Sequence, residues 1–294
     1  MRNIGIVLVT AAALVVPSFA LAAPAKVPAP TLKPSATLYQ PTRGEFDSAI
    51  VVDVATGKRL YAYKSDLVWT GASLTKLMNA LVFLETKPSF NKPMTLLAQD
   101  EVGGARLRVN SGTKMTLGNM FYTTLMASTN NTAMAIARST GLSLTTYVKR
   151  MNEKAKALGM KNTIYVEPSG MDPRNTTTAA DLAVLAKTAF ENPTIRKAST
   201  MMTYSFSMLN AKVTKRVTST DKLLTNDPDL YIYGGKTGFL YESMYNDIAE
   251  MEPNPRTPNG HKLIVVVLGS QTSAGSFAAV KALGQWAWKN YQWQ

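Results

Sequence analysis

The 294-residue chain contains no cysteine and one histidine, His261. Without cysteine there is no thiol nucleophile, disulfide or thiolate-ligated metal, and one histidine cannot supply the paired ligands of a metallohydrolase. A Ser-His-Asp triad would have to recruit His261, which stands in Pro258-Asn259-Gly260-His261-Lys262. That is a turn signal directly before the apolar run 263–268, so His261 is read as a solvated loop residue. A hydrolytic base is therefore expected to be a lysine or a carboxylate, and neither metal nor cofactor is called for.

Acidic residues are also scarce, 19 against 32 Lys and Arg, which leaves a net charge of +13. Such a balance favours anionic surroundings: wall polymers, lipid head groups or nucleic acid. No RNP-like or helix-turn-helix signature organises the basic residues, so nucleic acid is not an expected partner. Lys149, Arg150, Lys154, Lys156 and Lys161 are read as the solvated face of one helix.

Long hydrophobic runs are missing except at the start. Arg2, the apolar run 4–19 and the small residues Ala20-Leu21-Ala22 form a secretory signal peptide over 1–22, with an uncleaved anchor as the alternative. Its removal leaves no stable membrane span, so an exported protein is expected, periplasmic or in the cell envelope. Residues 23–44 carry Pro24, Pro28, Pro30, Pro34 and Pro41 and predict an extended, disordered tether. Residues 45–294 then form a single catalytic domain, long enough for one large core.

The hydrophobic pattern predicts an α/β (α+β) fold. Strand-like runs lie at 48–54, 59–63, 204–209, 235–240, 245–251 and 263–268; helical patterns at 73–85, 117–140, 144–158, 178–190 and 276–293. Strands at both ends with helices between imply one sheet built from both termini, flanked by helices, with an inserted helical lobe. The aromatic stripe Phe277, Val280, Leu283 and Trp286 is read as a helix packed on that sheet rather than on a membrane.

Three short segments remain. Ser73-Leu74-Thr75-Lys76 places a hydroxyl and an amine three residues apart, on one face of a helix start whose N–H groups can meet an oxyanion. An ordinary lysine near pKa ~10.4 is protonated and cannot act as a base, so a neighbouring cation or burial must depress it. Lys236 is the candidate cation. Ser128-Thr129-Asn130 interrupts an apolar stretch with small polar residues that need partners, which either a cleft or a simple turn between helices supplies. Lys236-Thr237-Gly238 follows Gly234-Gly235: glycine admits a ligand backbone, while lysine and threonine hold an anion. An exposed edge strand is the other reading of that segment.

Taken in order, these segments match the Ser-x-x-Lys, Ser-x-Asn and Lys-Thr-Gly set, with Thr129 as the central residue of the second. Together with Pro168-Ser169-Gly170-Met171 and Thr178-Ala179-Ala180-Asp181-Leu182-Ala183, the chain from about Asp47 to Trp286 resembles the low-molecular-mass penicillin-binding proteins, serine-type D-Ala-D-Ala carboxypeptidases and endopeptidases. The resemblance implies a β-lactamase/transpeptidase-like fold and cleavage of peptidoglycan stem peptides through an acyl-enzyme, with β-lactam antibiotics as covalent inhibitors. It implies Ser73 as nucleophile, Lys76 as general base and Ser128 as proton relay. Asn130, Lys236, Thr237, Gly238 and Phe239 would bind substrate, with the N–H groups of Ser73 and Phe239 as oxyanion hole.

Glu167 lies near where a class A β-lactamase carries its deacylating glutamate, but Met171 stands where such enzymes have an asparagine, so Glu167 is read as a local variant. Carboxypeptidase members often place an arginine after the final strand to bind the terminal carboxylate. The stretch 269–277 has none and offers Ser276. That leaves D-Ala-D-Ala carboxypeptidase and cross-link endopeptidase both open, with a β-lactamase as a further alternative.

Overall fold

The computed structural model describes residues 27–224, 227–254 and 261–293. The expected signal peptide lies outside the described residues. Five strands form one antiparallel sheet: β1 (Ser48–Asp53), β2 (Arg59–Tyr63), β3 (Leu230–Leu240), β4 (Met244–Pro253) and β5 (Leu263–Ser270), in the order β3-β4-β5-β1-β2. The N-terminal hairpin thus adds to three C-terminal strands, as the sequence implies. Ile50 meets Val266, and Thr237 meets Asp247, across their ladders.

The period-2 alternation of β5 explains why this strand is central. Leu263, Val265 and Val267 belong to one core, with Val280 and Leu283 of the helix α7 (Ser273–Asn290). Ile264, Val266 and Leu268 belong to the other core, shared with the remaining helices. Every residue of β5 is buried, and each large aliphatic side chain so buried contributes about 1.5–3 kcal/mol.

Those helices are α1 (Thr75–Glu85), α2 (Leu117–Met126), α3 (Asn130–Arg138), α4 (Leu144–Ala157), α5 (Ala179–Glu191) and α6 (Pro193–Thr200). Thr116, Ser143, Thr178, Asn192 and Thr272 cap α2, α4, α5, α6 and α7, their side-chain oxygens accepting from first-turn N–H groups. Within the described residues no helix is long and apolar enough to cross a membrane.

Four local expectations are corrected. The 73–85 helix begins as a 3-10 turn, Ala72–Leu74, so Ser73 precedes α1 rather than opening it. The 117–140 pattern is two helices, because Ser128 adopts φ 56° and no α-helix continues through a left-handed residue. The 204–209 run joins no large sheet: Thr203–Ser207 pairs only with Thr214–Thr218 in a separate hairpin. Finally, the described part of the expected tether is extended but fixed. Thr31–Leu32 pairs with Tyr291–Gln292, Lys58 Nζ donates to Pro30 O (2.6 Å), and Trp286 Nε1 donates to Thr37 O (2.6 Å). Aromatic contacts of Tyr39 with Phe46, Tyr61 and Trp286 complete this strap, and they outweigh the proline-rich composition from which disorder is inferred.

Candidate active site

The three segments converge between the edge strand β3 and the helical lobe. Ser73 sits in its 3-10 turn behind Ala72, held at φ 45°. Two glycines let backbone close on that turn. A Cβ on Gly238 would lie 3.3 Å from the Ser73 nitrogen, and one on Gly170 would lie 2.0 Å from the Ala72 carbonyl oxygen. The positive φ of 83° at Gly170 adds a second reason for glycine there.

Lys76 is fully buried on the first turn of α1. Its Nζ lies 2.8 Å from Ser73 Oγ, 2.6 Å from Asn130 Oδ1 and 2.5 Å from the Ser169 carbonyl oxygen. Asn130 Nδ2 donates to Gly103 O, which fixes the amide with its oxygen toward the lysine. Two of the three partners can only accept. A neutral amine has two N–H donors and one lone pair, so it satisfies both carbonyls and leaves the lone pair for the Ser73 hydroxyl proton. Burial, then the charge of Lys236, hold Lys76 well below the usual lysine range, while Glu167 opposes them.

Lys236, also buried, donates from Nζ to Ser128 Oγ (2.8 Å) and to the Thr237 carbonyl (2.7 Å). Burial pulls it down to about 7, against the opposing pull of Asp221 and Asp247. These two carboxyls are the part of the site that sequence reasoning missed. Asp247 has no hydrogen-bond partner on either side-chain oxygen, and Asp221 none on Oδ2. Burial raises both, Asp221 to about 6 and Asp247 well above the carboxylate range, and each carboxyl's nearness to the other raises Asp247 further. Asp221 stands in no motif, and Asp247 hides in an ordinary strand pattern.

Glu167 faces its own loop instead of the cleft. Its carboxylate accepts from Ser169 N (2.6 Å), Ser169 Oγ (2.5 Å), Gly170 N (2.5 Å) and Asn175 Nδ2 (2.7 Å). It thereby shapes the turn that aims the Ser169 carbonyl at Lys76. Thr129 spends its hydroxyl on Thr132, away from the chemistry. His261 stacks on Trp293 and takes no part.

The resulting cleft has a volume of about 410 Å³. Ser73, Ser128, Asn130, Thr237, Gly238 and Phe239 all line it, while Lys76 and Lys236 lie behind its wall. Thr220, unanticipated, joins them through a 2.7 Å hydroxyl contact with Thr237. The 269–277 stretch contributes Ser273, Ser276 and Phe277, and no acidic side chain lines the cleft. Among the described residues no group of His, Asp and Glu could hold a metal ion.

A family model described as D-alanyl-D-alanine carboxypeptidase matches residues 36–272. A D-alanyl-D-alanine endopeptidase of Pseudomonas aeruginosa is 34% identical over 241 residues, 81% of this chain and 76% of that protein. A D-alanyl-D-alanine carboxypeptidase of Bacillus subtilis is 29% identical over 256 residues, covering 84% of this chain and 63% of its own length. Among solved structures, the Streptomyces K15 DD-transpeptidase superposes with a TM-score of 0.78 at 21% identity, over 86% of this chain and all of that one. At that identity it supports the shared fold: a mixed architecture of antiparallel sheet and helices.

Proposed function

The chain belongs to the D-alanyl-D-alanine carboxypeptidase family, and from that premise we propose that it is a penicillin-sensitive serine D,D-peptidase acting on peptidoglycan stem peptides through an acyl-enzyme on Ser73. The observation that carries this reading is the Lys76 amine, buried, 2.8 Å from Ser73 Oγ and saturated by two carbonyl acceptors.

The contacts of Lys76 with Ser73 and of Lys236 with Ser128 support the following steps. Lys76 Nζ takes the Ser73 hydroxyl proton as Oγ attacks the carbonyl carbon of the penultimate D-alanine. The oxyanion is met by the N–H groups of Ser73 and Phe239, a pairing favoured by the close passage of β3 at Gly238. The C–N bond breaks as Ser128 Oγ, backed by Lys236, passes a proton to the leaving amine, and Lys76 restores it. Water then attacks the ester, gives its proton to Lys76, and Ser73 recovers its hydrogen. Asn130 orients Lys76, and Thr237 with Lys236 holds the distal end of the substrate.

Cleavage of a cross-link is the second reading. In the 269–277 wall a free terminal carboxylate meets serines and Phe277 and no guanidinium, and a relative 34% identical is named an endopeptidase. β-Lactamase turnover has little support, because Glu167 is engaged in its loop. Export by the 1–22 signal would bring the enzyme to the cell envelope, where its substrate lies.

Digestion of purified muropeptides by wild type and Ser73→Ala tests the assignment. D-Alanine released from monomers identifies a carboxypeptidase, and dimers converted to monomers an endopeptidase. Covalent labelling of Ser73→Ala by penicillin would remove Ser73 from the mechanism.

A further inference from the structure

The catalytic cleft does not end at Ser73. A second concavity of about 340 Å³ adjoins it, and Gly104 and Ala105 line both. One wall of it is the 104–108 loop; the other is the Lys215–Thr218 part of the hairpin that stands apart from the main sheet. Lys215 Nζ donates to the Arg108 carbonyl (3.2 Å) and ties the two walls together. Arg106, Arg108, Lys215 and Arg216 line this groove, and no acidic side chain does.

These cations are also poorly neutralised. Arg106 reaches Glu101 only at 3.9 Å, and Glu101 is already bonded by Asn131 Nδ2. Among the described residues, Arg108, Lys215 and Arg216 have no carboxylate within 4.0 Å. Four cations along one groove with almost no counter-charge repel one another, a cost that an anionic ligand removes. The groove is also coupled to the chemistry. Asn130 N donates to Ala105 O (2.7 Å), and Asn130 Nδ2 donates to Gly103 O (2.9 Å), so the loop between the two concavities hangs from a residue that holds Lys76.

We propose that this groove is a substrate subsite that binds a carboxylate-bearing arm of the peptidoglycan stem peptide and so selects acidic substrates for the adjoining cleft. The inference rests on the D,D-peptidase reading. A guanidinium fork matches a peptide carboxylate in two-point geometry, which favours arginine over lysine at three of the four positions. The arm can belong to the stem being cut or to the stem cross-linked to it.

The test compares wild type with the triple variant Arg108→Gln, Lys215→Gln, Arg216→Gln, in which glutamine at 215 keeps an N–H donor for the Arg108 carbonyl. Substrates are monomeric and dimeric muropeptides, each with free and with amidated carboxylates. The triple variant is expected to raise KM for free-carboxylate substrate by roughly tenfold, the product of three exposed contacts worth about twofold each, with kcat within about twofold. It should also flatten the dependence of KM on NaCl and leave amidated substrate and the rate of acylation by a small penicillin unchanged. A KM shift confined to dimers places the arm on the cross-linked stem; one in monomers places it on the stem being cut.

Equal KM values for the two proteins on every substrate overturn the subsite. So does a parallel loss of penicillin acylation, which would make the groove part of the scaffold. Failure of wild type itself to acylate would instead overturn the D,D-peptidase reading.

Discussion

Lys236 Nζ lies 2.8 Å from Ser128 Oγ and couples the edge strand of the sheet to the left-handed turn between two helices, 108 residues earlier. The contact fixes where the ammonium charge sits relative to the buried amine of Lys76, so the effect of Lys236 is electrostatic as well as steric.

Removing that charge should move the pH profile of acylation. A cation beside Lys76 lowers its pKa, so Lys236→Gln raises it and shifts the acid limb of the penicillin acylation rate upward. Each tenfold gain in the proton affinity of Lys76 costs about tenfold in rate below the limb. Lys236→Arg, which keeps the charge, should restore the limb; a Lys236→Gln profile of unchanged shape would refute the electrostatic role.

In wild type the alkaline limb should also fall far below the ordinary lysine value, because burial brings Lys236 down to about 7. Stopped-flow acylation from pH 5 to pH 10 measures it. Full activity persisting to pH 10 would mean that Lys236 need not be charged.

Asp247→Asn should change stability with a sign set by burial. Asp221, at about 6 against an ordinary 3.8, and Asp247, raised further, hold protons when folded that the unfolded chain has released. Their contribution is therefore present below about pH 4 and declines as pH rises, that of Asp221 through about 6 and that of Asp247 through its own raised pKa. With asparagine at 247, Tm should decline less between pH 4 and pH 7 than in wild type, by a few degrees. An identical decline in both proteins, followed by differential scanning fluorimetry, would mean that folding does not hold a proton on Asp247.

Glu167→Gln separates a loop-shaping carboxylate from a deacylating one. The substitution replaces one of the two accepting oxygens with a donor NH2, so either the Ser169 pair or Gly170 N loses its acceptor, a cost of about 1–3 kcal/mol that loosens the carbonyl holding Lys76. Acylation should slow by about tenfold while deacylation of the penicilloyl-enzyme stays as it was. Trapping of the acyl-enzyme in the variant alone would give Glu167 the catalytic role.

The strap can be removed without touching the cleft. A protein starting at residue 42 loses the Pro30, Lys33 and Thr37 hydrogen bonds and should be about 2–4 kcal/mol less stable than one starting at residue 27, with the same penicillin acylation rate. Equal urea midpoints for the two would show that the strap only rests on the surface.

Where local pattern and motif agree, the sequence carries the fold well. The five sheet strands and the order of the site segments are legible because alternation and capping signals are local. The break at Ser128 is legible only as misplaced polarity, since its positive φ is set by how α2 and α3 pack. Asp221 and Asp247 leave no trace at all: Asp247 reaches Lys236 only through the pairing of β3 with β4, and Asp221 only through the loop ahead of β3 that lays its carboxyl against Gly235. The strap misleads for the opposite reason. Its prolines and small residues suit an unfolded chain, and only the aromatic contacts of Tyr39 and the hydrogen bond from Trp286 hold it in place.

The strap also sets a direction. It lies against β2 and α7, whereas the cleft borders β3 at the other edge of the sheet. Four strand spacings separate the two edges, about 19 Å. Anything that tethers the chain ahead of residue 27 therefore grips the molecule from behind. A pull applied there loads the sheet edge opposite the strand that borders the cleft.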